Sequence, residues 1–492
     1  MIPGGITGLI LEDAAVTAAV ECGGTIDFTL TEKKAFENNA EEYEYSTTTT
    51  AMANASYRID DSNSVKYNFL YINNSSDKVG YFGIDGKGRN RDAQANTDEG
   101  FYQTNSQFDQ TQMYVNQLLG KHNSGKFDVD WGFGYNYVFS KQPDRKRFSV
   151  ENYHLALDDD IHTNPIFYSN VVFDNQRYFQ DIQDEEFNGR MNLAYNANEN
   201  LKFNLGFNGR SKQRDFENIR YGYDILDSNY QITDVNNFDS IFTLDNLNLN
   251  QGDNGIYEIK VINSLPGLSN TNRPGAPENT YKGNLDIYAG YVNAEIKANE
   301  KWLIVPGIRL ESFQQDIAFD VINLGNQGKS EISTYENFFL PSLNVKYALN
   351  DDQNLRFSAS QTVSIPEFKE VAPFVYEDVT QRIGGNPNLL NDPSFSRIFN
   401  VDFKYEWFPK PSELVSVAAF AKAINDPVNL VVANDATGTQ RFFRTGDQAK
   451  VLGFEFEVRK DLIINEDELS VLSTGVNATY TYTKQDVNGS NG

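Results

Sequence analysis

The chain has 492 residues and three histidines, His122, His154 and His162, none at metal-ligand spacing from another. Its densest carboxylate cluster is LDDDIH at 157–162, with Asp158, Asp159, Asp160 and His162. That run lacks the glycine and the spaced carboxylates of a calcium loop, so it reads as a solvated acidic loop. Serine, histidine and aspartate form no nucleophile motif, and GKGRN at 86–90 has neither the spacing of a phosphate loop nor a helix after it. The sequence therefore leads us to expect no catalytic residue, no metal and no cofactor, and it does not read as an enzyme. The chemistry on offer is recognition. Arginines stand beside aromatics in IRYGYD (Arg220, Tyr221, Tyr223), in the segment holding Phe374, Tyr376 and Arg382, and in RFFR (Arg441, Phe442, Phe443, Arg444). Such pairings suit flat or anionic ligands, sugar rings and chelates alike. The same side chains would also serve to pack loops against one another.

Elements must hold these groups, and the sequence shows which. Residues 127–139 read FDVDWGFGYNYVF, with Phe127, Val129, Trp131, Phe133, Tyr135, Tyr137 and Phe139 on one parity. A period of two over that length is a β-strand with one apolar and one polar face, longer than the five or so residues of an ordinary soluble strand. The pattern recurs in SVKYNFLYI, MNLAYNANENLKFNLGFNGR, KWLIVPGIRL, FFLPSLNVKYAL and FNVDFKYEWF, while ELVSVAAFAKAIN is apolar on both faces. The connections alternate. Short polar turns lie near 59–64, 121–125, 197–200, 298–300, 350–353, 409–412 and 462–467. Long segments rich in Asn, Asp, Gly, Ser and Tyr lie at 74–110, 140–185, 211–283, 314–334, 365–396 and 425–449.

Up-and-down strands place alternate connections at opposite ends of a sheet. Short turns at one end and long loops at the other describe an all-β, antiparallel, up-and-down transmembrane barrel with periplasmic turns and extracellular loops. Strands of about 9–11 tilted residues cross the hydrocarbon. Seven short turns imply about 14–15 strands. The apolar face would meet outer-membrane lipid, and the polar face, including Asp128 and Asp130, would meet a wet lumen. A soluble β-sandwich also alternates, but with shorter strands, no sided loop lengths and fewer aromatics.

Bulk properties narrow the partners. The formal charge is −26, from 42 Lys and Arg against 68 Asp and Glu, which repels nucleic acid. A single cysteine, Cys22, excludes an intrachain disulfide. No apolar run reaches the roughly 18 residues of a transmembrane helix, and Glu12 and Asp13 interrupt the N-terminal apolar stretch, which lacks the basic start of a signal peptide. Residues 1–45 read as an N-terminal segment, either a link into the barrel or a first strand, and 46–492 as the barrel.

Three stretches carry a family resemblance. FFLPSLNVKYALNDDQNLRFSASQTVSIPEFKEVAPF ends a strand on Pro366, Glu367 and Phe368; GNPNL follows at Gly385 to Leu389; LGFEFEVRKDL at 452–462 holds Gly453, Phe454 and Glu455. In order and spacing these resemble TonB-dependent outer-membrane receptors of bacteria, and GGTIDF at 23–28 is reminiscent of that family's link from plug to barrel. The resemblance implies a barrel of about 22 strands with an N-terminal plug. It implies capture of a scarce ligand, an iron chelate, glycan or peptide, at the extracellular loops. It further implies energy from a TonB-type inner-membrane protein acting through the plug, and leaves room for a surface lipoprotein partner. No plug, no energy-coupling box and no closing aromatic strand are recognisable in the sequence, so an incomplete barrel is expected. Two other readings stay open: a passive porin-like channel, and a soluble secreted glycan-binding β-protein.

Overall fold

The computed structural model describes residues 40–88, 100–249, 254–261, 278–321, 329–377, 382–391, 393–432, 439–465 and 470–485. Cys22, GGTIDF and the last two residues of GKGRN lie outside them.

The strands, in chain order, are β1 (Ala40–Arg58), β2 (Asn63–Phe82), β3 (Tyr102–Ser124), β4 (Phe127–Glu151), β5 (Ile166–Phe167), β6 (Gln176–Asn198), β7 (Leu201–Ile225), β8 (Tyr257–Val261), β9 (Asn279–Lys297) and β10 (Trp302–Val321). They continue as β11 (Lys329–Asn350), β12 (Gln353–Ser364), β13 (Val375–Glu377), β14 (Arg382–Gly384), β15 (Ser396–Trp407), β16 (Leu414–Asn425), β17 (Val428–Val432), β18 (Gln440–Arg444), β19 (Gln448–Ile464) and β20 (Ser470–Gln485). The long strands form one curved antiparallel wall in sequence order, β1-β2-β3-β4-β6-β7-β9-β10-β11-β12-β15-β16-β19-β20. This is the all-β up-and-down architecture expected from the alternation. Among the described residues β1 and β20 do not pair with each other, so the wall has two edges. A second, four-stranded sheet, β13-β14-β18-β17, comes from two of the long connections.

The strands run further into the long connections than the sequence suggests. β4 extends to Glu151, β7 to Ile225 and β10 to Val321. The reason is an inversion of faces along each strand. On β10 the outward set begins with Trp302, Ile304, Pro306, Ile308 and Leu310 and continues as Ser312, Gln314 and Asp316. The inward set runs from Leu303, Val305 and Gly307 through Arg309 and Glu311 to the buried Phe313, Gln315, Ile317 and Phe319. Leu310 is 60% exposed and Phe313 0%. β7 repeats the switch: Leu201, Phe203, Leu205 and Phe207 give way outward to Ser211, Gln213, Asp215 and Glu217. The apolar outward band is about the depth of a hydrocarbon core. Above it the wall stands in water, and its interior is covered by protein. A search for a fixed apolar parity stops at that boundary.

Within the band, aromatics cluster near the short turns, as interfacial rings do. Phe127 stacks on Tyr195 at 4.9 Å and Trp302 on Tyr347 at 4.5 Å. Trp131 Nε1 donates to His122 Nε2 at 3.1 Å, and His122 lies within β3 rather than in the turn after it. Asp128 and Asp130 point to the opposite face, where Asn196 and Asn192 donate to them at 2.9 and 3.3 Å. The polar face of the opening strand thus carries a hydrogen-bonded ladder. No helix among the described residues is long and apolar enough to cross a membrane.

Candidate functional site

The interior of the upper wall is filled by the connection between β12 and β15. Its first helical turn, Phe368–Val371, drops Phe368 onto β9. Gly283 makes room for it, since a Cβ there would lie 2.6 Å from the Phe368 ring. Phe368, Val371, Phe374, Leu389 and Leu390 then bury against Phe216, Tyr281, Phe313, Ile317 and Phe338 of the wall. Gln315 Nε2 donates to the Pro366 carbonyl at 3.2 Å, anchoring the strand exit. GNPNL closes the turn. Gly385 lies flat against Ala372, where a Cβ would come within 2.0 Å of the main-chain oxygen. Asn386 accepts from the Asn388 amide at 3.1 Å and donates to the Phe442 carbonyl at 2.9 Å. The sequence motifs are therefore the clamp that folds this connection inward.

Two charged layers lie against that clamp. In the lower, Asp184 takes Arg214 at 2.5 and 2.6 Å and Lys212 at 3.0 Å, with Phe368 stacked beneath both cations. The upper is larger. Arg220 makes a bidentate pair with Glu278 at 2.6 to 3.1 Å. Glu377, at the end of β13, lies 3.2 Å from Arg147, 3.3 Å from Arg382 and 3.6 Å from Arg220. Arg145 sits over the Tyr178 ring at 4.4 Å and within 5.7 Å of the Tyr376 ring. It is 1% exposed, and its Nη1 has no hydrogen-bond partner among the described residues. Asp174, at the margin of this layer, has its carboxyl pushed up to about 6 by burial, with the Glu377 charge adding to the rise and Arg147 opposing it. Lys369 also lies over the Tyr376 ring, at 5.6 Å.

Arg145 and Arg147 reach the interior through a β-bulge. The register between β4 and β6 slips between Gln142 and Arg145, which turns odd residues inward where even ones pointed before. Asp144, inside the bulge, pairs outside it with Arg177 at 2.7 and 2.8 Å.

The sequence candidates divide among these places. Arg220, Tyr376 and Arg382 meet in the upper layer. Phe374 stacks on Phe216 at 4.5 Å beneath it. Tyr223 joins a separate aromatic cluster with Phe148, Phe242 and Tyr257, and Tyr221 stands edge-on to Phe179. Arg441 and Arg444 tie loops together: Arg441 donates to the Gly385 carbonyl at 3.3 Å, and Arg444 to the Asp426 and Leu389 carbonyls at 2.5 and 3.4 Å. Phe442 packs against the main cluster, and Phe443 lies opposite Asn429 in the β17–β18 hairpin. Sequence reading missed Arg145, Arg147, Glu278 and Glu377. DRKRF at 144–148 is a basic run in an acidic chain and was the available signal. LDDDIH lies exposed on a turn, and among the described residues no group of three His, Cys, Asp or Glu side chains is placed to hold a metal.

Deeper in the wall a cavity of about 500 Å³ is lined by Arg190, Arg210 and Arg309 with Glu311. Arg210 pairs with Glu186 at 2.9 Å and Arg309 with Glu311 at 2.5 Å. These guanidiniums line the polar face below the filled mouth.

Several solved structures are similar to this chain. The ferric yersiniabactin uptake receptor FyuA from Yersinia pestis is 10% identical with a TM-score of 0.49, over 90% of this chain and 60% of that one. The copper transporter OprC is 10% identical with a TM-score of 0.49, over 90% and 62%. The siderophore receptor PiuA from Acinetobacter baumannii is 11% identical with a TM-score of 0.46, over 90% and 63%. The chain thus spans less than two thirds of the length of these structures. Among curated proteins nothing matches. The family described as TonB dependent receptor-like, beta-barrel matches residues 137–492, from within β4 onward. With an up-and-down wall, a lipid-depth apolar band and that match over most of its length, the chain belongs to the TonB-dependent receptor β-barrel family of the bacterial outer membrane.

Proposed function

We propose that the chain forms the wall and the ligand-receiving mouth of an outer-membrane nutrient uptake receptor. In this reading a scarce small-molecule, glycan or peptide ligand is taken up from outside at the inward-folded loops. It then passes along the polar lumen with energy from a TonB-type inner-membrane protein. The observation that carries the reading is the filled mouth. The connection between β12 and β15 packs an apolar core and an arginine layer across the upper interior, above a lumen lined by Arg190, Arg210 and Arg309. A mouth built this way favours gated entry over a passive pore, and binding groups on loops held by a rigid wall are the usual arrangement for recognition.

Growth of cells with and without the gene, on panels in which one iron chelate, glycan or peptide limits growth, tests the reading. Deletion should abolish growth on one ligand class, and a protonophore should stop uptake of that ligand. Uptake that continues unchanged under the protonophore would instead support a passive channel.

A further inference from the structure

In FDVDWGFGYNYVF, two successive inward positions of β4 are glycines, Gly132 and Gly134. Side chains of β6 lie across them. A Cβ at Gly132 would come within 3.3 Å of Arg190 Nε, and one at Gly134 within 2.5 Å of Asn188 Oδ1. Arg190 is therefore laid back on the wall, with its stem held and its head at the cavity of about 500 Å³ in the lumen. The other cations around it are matched. Arg210 pairs with Glu186 at 2.9 Å and Arg309 with Glu311 at 2.5 Å. Toward the short turns Lys121 stands opposite Asp130 in register, and toward the mouth Asp184 takes Lys212 and Arg214. Arg190 itself makes no hydrogen bond and no ion pair among the described residues. Asn208 stands directly opposite it in the β6–β7 register. Arg309 Nη1 donates to Asn208 Oδ1 at 3.2 Å. A guanidinium only donates, so this bond fixes which arm of the amide is oxygen and leaves Nδ2 as the other arm. That Nδ2 has no acceptor among the described residues. Arg190 and Asn208 thus present charged and amide donors side by side over the lumen. Both are held in place before anything binds, which lowers the ordering cost of receiving an acceptor. Leu119 and Ile287 line the same cavity and give it an apolar side.

We propose that Arg190 and Asn208 form an oxyanion site in the lumen, where a carboxylate or phosphate group of the ligand rests on its way along the wall. This rests on the uptake reading and adds to it a ligand class and a station below the filled mouth. The contact is non-covalent. The guanidinium offers parallel N–H groups to two oxygens of the anion, and Asn208 Nδ2 adds a further donor. Leu119 and Ile287 suit a ligand that carries an apolar portion beside its acid group. Glu186 and Glu311 already occupy Arg210 and Arg309, so the site offers one unmatched positive charge. That is enough to hold an anion and little enough to let it leave, as conduction requires. In a chain of formal charge −26, such a station counters the repulsion an anion meets elsewhere.

The test is calorimetric titration of the full chain in uncharged detergent with citrate and, separately, with inorganic phosphate. At least one of them should bind the parent, and Arg190→Gln should bind it about tenfold more weakly or worse. Asn208→Leu should weaken it by a smaller factor. Glu311→Gln frees Arg309 and should bind about tenfold more tightly. Lys282→Gln removes a cation that pairs with Asp215 on the outward face, and it should bind as the parent does. Binding of citrate alone assigns a carboxylate ligand, of phosphate alone a phosphate, and of both a site for either oxyanion. Heat-dependent gel mobility reports that each variant keeps its folded wall. If Arg190→Gln does not, Arg190→Lys should weaken binding in the same direction by a smaller factor. The absence of binding of both anions to the parent overturns the inference. So does equal binding by Arg190→Gln and the parent, or an equal loss in Lys282→Gln. In those cases protonophore-sensitive uptake by cells would leave the uptake reading standing. Binding that depends on Arg190, in cells that show no such uptake, would keep the site and overturn the uptake reading.

Discussion

The lower and upper halves of the wall use the same strands with opposite faces. Below Leu310 on β10 and Phe207 on β7, apolar side chains point out, and Lys202, Asn204 and Arg309 point in beside Leu303 and Val305. Above them, aspartate, glutamine and serine point out, while Phe313, Ile317, Phe216 and the loop core are dry. Both halves contain arginines, but in different settings. Arg210 lies in the lumen with its side chain 41% exposed beside Glu186, and solvent shares its charge. Arg145 and Arg147 are buried, and only protein is available to balance them. The contrast teaches where charge has energetic consequence. A strand that passes from lipid to water must exchange its faces, and the place where its interior becomes dry is where a few guanidiniums dominate.

Changes in the two halves should therefore differ in kind. The largest effect is expected from Phe368→Ala, which removes the ring that β9 and Gly283 accommodate and should cost the inward-folded connection about 3–5 kcal/mol. Hydrogen exchange of the amides around 366–390 reads this, and the lipid-facing Phe454→Ala should leave those amides unchanged. Arg220→Met leaves Glu278 buried without its partner and should cost a similar or slightly smaller amount, about 3 kcal/mol or more. Double substitution with Glu278→Gln should recover part of it. Phe207→Lys puts a charge in the lipid band and should lower folding into bilayers by about 2–4 kcal/mol, whereas Glu217→Lys on the same face above the band should change it by about 0.5 kcal/mol or less. Urea-dependent folding into vesicles separates the two.

A smaller effect comes from pH. Asp174 titrates near about 6 in the folded loop and near 4 in an ordinary chain. The folded loop therefore takes up a proton first as pH falls. Relative to the unfolded chain this group's contribution is complete below pH 4 and is lost as pH rises through about 6. Protease resistance of the loop should increase on acidification from pH 7 to 5, and Asp174→Asn should flatten that profile. The smallest change is expected from Arg210→Met, at about 0–1 kcal/mol, because the exposed Arg210 lets solvent screen its pair with Glu186.

Much of the wall was legible in the sequence because lipid enforces one parity over a fixed length. FDVDWGFGYNYVF could be assigned to a face, and the seven short turns to one end, from period and spacing alone. The upper strand halves were not legible for the same reason: their outward residues turn polar, and the alternation reads as loop. The bulge at Gln142 to Arg145 added a second parity change, which hid Arg145 and Arg147. PEF and GNPNL marked the inward-folded connection, since a buried Phe368 and a close-packed Gly385 need those residue types. The partners of Arg220 could not be read from sequence. Glu278 is 58 residues away in chain order and reaches Arg220 because it directly precedes β9, which pairs with β7, and Glu377 comes from the connection that folds inward between β12 and β15.

The exchange of faces along one strand is the central claim, and it can be measured directly. Single cysteines at 304, 308 and 310 and at 314, 316 and 320 of β10, on a Cys22→Ser background, would carry spin labels in bilayers. Accessibility to oxygen and to a water-soluble nickel complex should switch between 310 and 314, with lipid contact below and water contact above. Water contact at all six positions would contradict the account.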